Sequence, residues 1–471
     1  MELDLFTVYA VSAAGGLILL MTASLAYSYP RAAVPIGFFL ILIADTKFRV
    51  RAVTEALAAE VDSQILLELG LYALIATVTA MLLAASRRGR GIWRPLDLLS
   101  CGYVLVCVAS CAWSLTPKVT MVRSLQVLVL FVFVHASLRV TGSERMFRAL
   151  TASCTIYVLA CTAVALMFPG LGGASPGRFQ WFFVHPIMAG GFAAIAALSI
   201  LGIGLYSARG WHDRVLGCPV WLYLLPLITV MLMTKSRGPV LAFIGATGFL
   251  LLKRLRSHMA TVAVSACLIL MCAFIGSIDS VSSYLQRSNT SGELDQAVVR
   301  QLLRGQTADQ FLGFSGRAEL WAGAIQTFYQ QPIIGYGYQA SRALLVNEVW
   351  WGAGHAHNAY LQTLLDVGIL GGVFLFSSLI LVLFSGFRRR RGGKVRWEAD
   401  AISGSVVFLL LNAITDESFA VVGLQLAVAF TCVSVVAQQT LAESQLDWRQ
   451  TRRVGPNRRG IVRAPALPLQ G

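Results

Sequence analysis

Residues Gly354–Gly372 read GHAHNAYLQTLLDVGILGG: two histidines, one residue apart, run straight into an apolar segment that continues to about residue 387. A run of that length can cross a bilayer core, which takes roughly 20 apolar residues in helical form. The rest of the chain repeats the pattern. Of 471 residues, 56% are hydrophobic and only 13% are charged. The mean hydropathy is +0.69, far above that of a soluble domain. Spans are expected near 6–27, 32–44, 65–85, 96–114, 119–138, 147–167, 186–206, 216–234, 237–252, 258–278, 357–387, 399–415 and 418–438. That is thirteen, or twelve with the short second one re-entrant, and the expected fold is an all-α polytopic membrane bundle. The acidic flank MELDL is unlike the basic start of a signal peptide, so the first span is expected to remain.

The division into parts follows from the same reading. Residues 1–278 form N-terminal transmembrane helices, 279–356 an extracytoplasmic loop or lid, 357–440 the C-terminal transmembrane helices, and 441–471 a disordered basic tail suited to anionic lipid. A net charge of +15 raises the question of nucleic acid. The placement of the charge answers it. Of the 38 Lys and Arg residues, 25 cluster in loops that the span order puts on one side, from Arg31 through Arg87–Arg94, Arg145, Arg214 and Lys253 to Arg388–Arg396 and the tail. By the positive-inside rule that side is cytoplasmic, the C-terminus included. The excess is a topology signal, and no nucleic-acid partner is expected. The nine cysteines lie in or beside spans and form neither a disulfide framework nor a CxxC zinc site.

With sidedness assigned, the unusual polar stretches fall outside: WSLTPKVTMVRS (113–124), PGRFQWFFVHP (176–186), TKSRGP (234–239), the loop 279–356, and NAITDES (412–418). Arg123 lies just inside a span, Arg237 sits in a very short hairpin beside Lys235, and Arg178 is in a loop rich in Gly and aromatics. Burying an arginine costs several kcal/mol unless an anion or polar cavity receives it. Each therefore either snorkels or pairs with a carboxylate such as Asp366, or serves as a fork for phosphate oxygens. His355 and His357 sit at the external mouth of the bundle, where an imidazole can take a proton from a hydroxyl near neutral pH. Asp366 is nine residues beyond His357, about half a turn away around the helix, so it is expected to support an arginine instead. Asp416 and Glu417 are the expected carboxylate partners for a His or an Arg. In the loop, SGRAELWAGAIQTFYQQPIIGYG predicts a helix capped by Ser315 with Trp321, Ala324, Ile325 and Phe328 on one face, ended by Pro332 and Gly335. SGELDQAVVRQLLRGQ predicts a second, shorter one. There is no P-loop, no Rossmann fingerprint and no Asp-x-Asp pair. No metal and no cofactor is expected, and a donor must bring its own leaving group.

The elements WSLTPKVTMVRSL, GRFQWFFVHPIMAGG, SRGPVLAF, GRAELWAGAIQTFYQQPIIGYG and HAHNAYLQTLLDVGILGG, in this order, resemble those of the O-antigen ligase and polysaccharide polymerase superfamily (Wzy/WaaL type, with exopolysaccharide polymerases of the ExoQ kind as relatives). The resemblance covers about 101–430. It implies an inverting, metal-independent glycosyltransferase of the bacterial inner membrane, with its active site facing the periplasm. By that resemblance Arg237 and Arg178 bind the diphosphate of an undecaprenyl-diphosphate-linked oligosaccharide, and His357 activates the acceptor hydroxyl. Arg123 and Arg317 match basic positions of the pattern. The implied partners are the lipid-linked glycan, the bilayer, and flippase, chain-length or export proteins of a polysaccharide pathway. Two departures stand out. His185-Pro186 replaces a common Pro-Asn, which makes His185 a further polar candidate, and Asp366 replaces a common Glu. Two other readings stay open: a ligase making one transfer to lipid A core or another acceptor, and a non-catalytic transporter of lipid-linked sugar.

Overall fold

The computed structural model describes residues 21–22, 24–46, 63–86, 95–168, 179, 185–254, 317–346, 354–387 and 397–453, with the backbone alone beyond 438. The helices are α1 (Pro30–Ala44), α2 (Ser63–Ala85), α3 (Pro95–Ala109), α4 (Pro117–Met167), α5 (Pro186–Tyr206), α6 (Trp221–Met233) and α7 (Arg237–Arg254). After these come α8 (Arg317–Gln330), the short α9 (Arg342–Leu345), α10 (Ala359–Phe387), α11 (Trp397–Asn412) and α12 (Leu424–Arg453). Among the described residues the only strands are a two-residue antiparallel pair, Arg214–Val215 with Cys218–Pro219. The protein is an all-α membrane bundle.

Proline opens α1, α3, α4 and α5. At a first helical position its missing N–H costs nothing and its fixed φ suits the helix. The spans expected at 119–138 and 147–167 are the two arms of α4, which breaks at Gly142 with φ 76°. Among the described residues four helices are long and apolar enough to cross a membrane: Gln64–Ala85, Pro117–Met167, Pro186–Tyr206 and Ala359–Ser385. The expected number was larger. Part of the gap lies outside the described residues, which take in neither 258–278 nor most of 6–27. The rest is physical: α1 is short, α6 has only 13 residues, and α7 and α11 carry charges in their end turns. The last helix also runs to Arg453, past the point at 441 where an irregular tail was expected.

α5 is the axis. Its sequence PIMAGGFAAIAALSILGIGLY is built of small and apolar residues, and 89% of its most apolar window is buried. Small residues let neighbouring backbones approach closely where lipid supplies no hydrophobic drive. A side chain at Gly202 would meet Ala401 of α11, and one at Gly190 would meet Thr234 and Pro239 around the start of α7.

The helix ends sort into two groups about 30 Å apart, the length of α5. At one end, Lys253 of α7 bonds Asp400 of α11 at 2.8 Å, Arg254 reaches the Leu205 carbonyl at 3.0 Å, and Arg148 bonds Asp213 at 2.7 Å. At the other lie His185, the starts of α7 and α10, and the turn between α11 and α12. Asp45, at the close of α1, belongs to this second end, where its carboxylate accepts from Leu424 N at 2.6 Å. Arg31, at the start of α1, belongs to the first.

α10 is broken at Gly368 (φ 64°), and the chain after α8 fills the break. Tyr336 N and Gly337 N donate to the Leu365 and Asp366 carbonyls at 2.9 and 2.8 Å, while Ile369 N and Leu370 N donate to Pro332 and Ile333 at 2.8 and 3.0 Å. Irregular backbone inside a bundle is tolerated when protein groups satisfy it in this way. Gly335 and Gly368 face each other so closely that a Cβ on either would strike the other strand's backbone. The strap is held from behind by Trp113 Nε1 on Ile334 O at 3.3 Å and Leu115 N on Tyr336 O at 3.0 Å.

Candidate active site

The turn before α10 carries both histidines, and five hydrogen bonds fix it. Asn358 Oδ1 accepts from Tyr360 N and Leu361 N at 3.0 and 3.1 Å, capping the helix. Ala359 N donates to Ala413 O at 2.8 Å, which ties the turn to the end of α11. Ala356 between the histidines donates to Gln362 Oε1 and accepts from Trp321 Nε1 of α8, both at 2.9 Å. His357 takes a left-handed conformation, φ 47°. A non-glycine residue held there costs of order 1–3 kcal/mol and persists only where the surroundings enforce it.

His355 is hydrogen-bonded at one nitrogen and faces a carboxylate with the other. Its Nε2 lies 2.9 Å from Arg342 Nη2, and its Nδ1 lies 3.4 Å from Glu417 Oε2 without hydrogen-bond geometry. A guanidinium only donates, so Nε2 must be the acceptor and the ring proton sits on Nδ1, toward Glu417. Burial and the neighbouring Arg342 hold His355 well below the usual imidazole range, so it is neutral. Glu417 goes the other way: burial and the adjacent Asp416 push it up to about 8, against the pull of Arg342 and Arg317. Asp416 is likewise raised by burial. It is held by Asn412 Nδ2 at 3.1 Å and Gln425 Nε2 at 3.5 Å.

His357 faces a different set. The two imidazoles are 6.4 Å apart, and burial, then Arg317 and His185, lower His357 to about 3. Arg317, the first residue of α8, is itself lowered, by burial. Arg342 is pushed down to about 10 by burial and by the like charge of Arg123, and its buried Nε has no partner among the described residues. Two arginines and two imidazoles, all held below their usual ranges, thus lie close to two carboxylates that burial pushes upward.

The structure brings together His355, His357, Arg317, Asp416, Glu417 and His185, whose Nδ1 accepts from Ile187 N at 3.3 Å at the start of α5. Arg237 opens α7 from the turn that holds the exposed Lys235, and the next residue, Gly238, packs against the Thr415 side chain of the turn bearing Asp416 and Glu417. Arg178, Ser315 and the stretch 291–306 lie outside the described residues.

Three expectations change. Arg123 is paired with Glu68 and with Gln126 at 3.1 Å, so its carboxylate is Glu68 and not Asp366. Among the described residues Asp366 bonds no arginine directly and supports Arg342 only through its field; it accepts from Ser341 N, Ser341 Oγ and Gln362 Nε2 at 3.2, 2.5 and 2.9 Å, pinning the segment after the strap to α10. The inward face of α8 is Leu320, Ala324 and Thr327, while Ile325 is 42% exposed, a rotation of about one residue from the expected stripe. Leu320 and Ala324 join Tyr336, Leu345, Ala356 and Leu365 in a small core of their own beneath the loop.

Arg342 was not anticipated. Its only signal is a lone cation in the segment YGYQASRALLV, which is otherwise uncharged. Glu68 was missed for a similar reason, as a single carboxylate in the apolar run of α2.

Residues 222–376 match the family model described as O-Antigen ligase, about a third of the chain. This supports the O-antigen ligase and polymerase superfamily that the sequence motifs resemble. The matched segment contains Lys235, Arg237, Arg317, Arg342, His355 and His357; Arg123, His185, Asp416 and Glu417 lie beyond it. No curated protein matches the chain.

Proposed function

We propose that the protein transfers a glycan from a lipid-linked diphosphate donor, of the undecaprenyl-diphosphate kind, to a sugar hydroxyl at the periplasmic face of the bacterial inner membrane, extending a polysaccharide. The observation that carries this reading is the cluster in which His357 lies beside Arg317 and His355 lies between Arg342 and Glu417. A diphosphate brings the negative charge that such a cluster of cations favours. Arginine forks match its oxygens and keep their charge throughout.

In the reaction the acceptor oxygen bonds to the anomeric carbon as the bond from that carbon to the diphosphate oxygen breaks. The acceptor proton passes to His357, and the electron pair leaves with the diphosphate. Arg317 and Arg342, with Arg237 and Arg178 as further ligands, stabilise the charge developing on the leaving oxygen without reorganising. The attack comes from the face opposite the leaving group, so the product is inverted, and none of these steps uses a metal. Burial first, and then Arg317, depresses His357; an arriving dianion offsets the Arg317 part and raises the proton affinity of the base when the acceptor must be deprotonated. His355 is a positioning residue, since its Nε2 is occupied by Arg342.

The family description favours one alternative, a ligase that makes a single transfer to lipid A core or another acceptor. Purified protein given one defined lipid-linked repeat unit separates the two. A ladder of lengthening products is the expected result. Transfer only to an added lipid A core acceptor would make the protein a ligase. Substrate movement without transfer, unaffected by His357→Ala, would make it a transporter.

A further inference from the structure

At the end of the bundle away from the histidines, a cavity of about 610 Å³ opens between α1 and the second arm of α4. Its rim is Arg31, Arg145, Arg148 and Arg214. Arg148 is engaged, by Asp213 at 2.7 Å, Glu144 at 3.1 Å and the Trp397 ring at 5.1 Å. Arg31, Arg145 and Arg214 are exposed, and among the described residues no carboxylate lies within ion-pair distance of them. Two carboxylates, both engaged with Arg148, against four guanidiniums leave the rim cationic.

Below the rim the lining changes character. Arg31, Pro35 and Phe39 follow one another at intervals of four on α1; Arg145, Ala149, Ala152 and Ile156 do the same at four and three on α4. Each set is one face of its helix. The apolar wall extends from Arg31 to Leu40, about 13 Å along the axis. Tyr27 and Tyr29 stand 63% and 64% exposed just before α1, where amphipathic rings mark the membrane–water interface. A cationic rim at headgroup level over an apolar slot open to the side fits an amphiphile with one negative end.

We propose that this groove binds an anionic phospholipid, with its headgroup phosphate on Arg31, Arg145 and Arg214 and an acyl chain along Phe39, Ala152 and Ile156. The site goes beyond the proposed transfer reaction and lies at the opposite end of the bundle. The test uses the full-length protein in phosphatidylcholine nanodiscs with a minor fraction of cardiolipin, with retained lipid counted by native mass spectrometry. The wild type is expected to retain cardiolipin in preference to phosphatidylcholine. The triple variant Arg31→Gln, Arg145→Gln, Arg214→Gln is expected to weaken that retention by about a hundredfold, since each arginine near a membrane surface contributes roughly a factor of five to anionic binding. Ala152→Trp leaves every charge in place and fills the slot; it should weaken retention too. Arg209→Gln removes a charge from the same end outside the groove and should not. Retention unchanged in the triple variant, or lost equally in Arg209→Gln, overturns the proposal. So does inorganic phosphate raising the melting temperature as much as cardiolipin does, which would mean a site for free anion.

Discussion

The two ends of the bundle use the same residues to opposite effect. At the α5 C-terminal end, arginines and lysines are exposed or paired with carboxylates on neighbouring elements, as in Arg148 with Asp213 and Lys253 with Asp400. At the histidine end, Arg317 and Arg342 are desolvated beside carboxylates that burial keeps from ionising. The paired cations of the first end hold helices in register. Those of the second are less fully neutralised, and on the proposed function the charge of a ligand completes them.

Mutation should divide the two ends sharply. His357→Ala is expected to lower kcat by about 10²- to 10⁴-fold, the usual contribution of a general base, while the protein stays folded by melting temperature. Loss of activity in step with loss of fold would remove the distinction. Arg342→Ala or Arg317→Ala should cost about 10²–10³ in kcat, as loss of one preorganised donor to a developing anion does. At the opposite end, Arg148→Ala should leave kcat unchanged and lower stability by about 1–3 kcal/mol, the range for hydrogen bonds to charged groups. A drop in turnover there would mean that the ends are coupled.

Stability against pH sharpens the contrast further. His357 falls from 6.5 unfolded to about 3 folded, so it destabilises the fold as pH drops below 6.5. Glu417 rises from 4.5 to about 8, so it destabilises as pH climbs from 4.5 through 8. Melting temperature should therefore decline on both sides of mildly acidic pH. His357→Gln should flatten the acid limb and Glu417→Gln the alkaline one. Saturating pyrophosphate should move the His357 imidazole titration upward, read by NMR; no movement would dissociate the histidine from the anion site.

Much of the fold is legible because hydropathy needs no distant partner: the described helices from 63 to 254 and from 357 to 438 stand where the apolar runs are, four of them long enough to span. Legibility ends where backbone meets backbone across the chain. Nothing local in VGILGG announces that α10 breaks at Gly368, because the groups that satisfy the break come from Pro332–Gly337. The histidines, Arg317, Asp416 and Glu417 were legible as polar residues crowding one side of an apolar scaffold. The partner of Arg123 was not, since Glu68 is 55 residues away on another helix. Arg342 was hidden because a single cation in a loop has no spacing to betray it.

The strap between Gln331 and Tyr338 is the most firmly anchored irregular stretch among the described residues. Four main-chain hydrogen bonds stitch it into the gap in α10, and peeling it away would strand those amides and carbonyls in a greasy interior at a cost of several kcal/mol. The chain between α8 and α9 is therefore riveted to the middle of α10, and on the proposed function a polyprenyl tail slides in sideways between helices without that stretch being lifted.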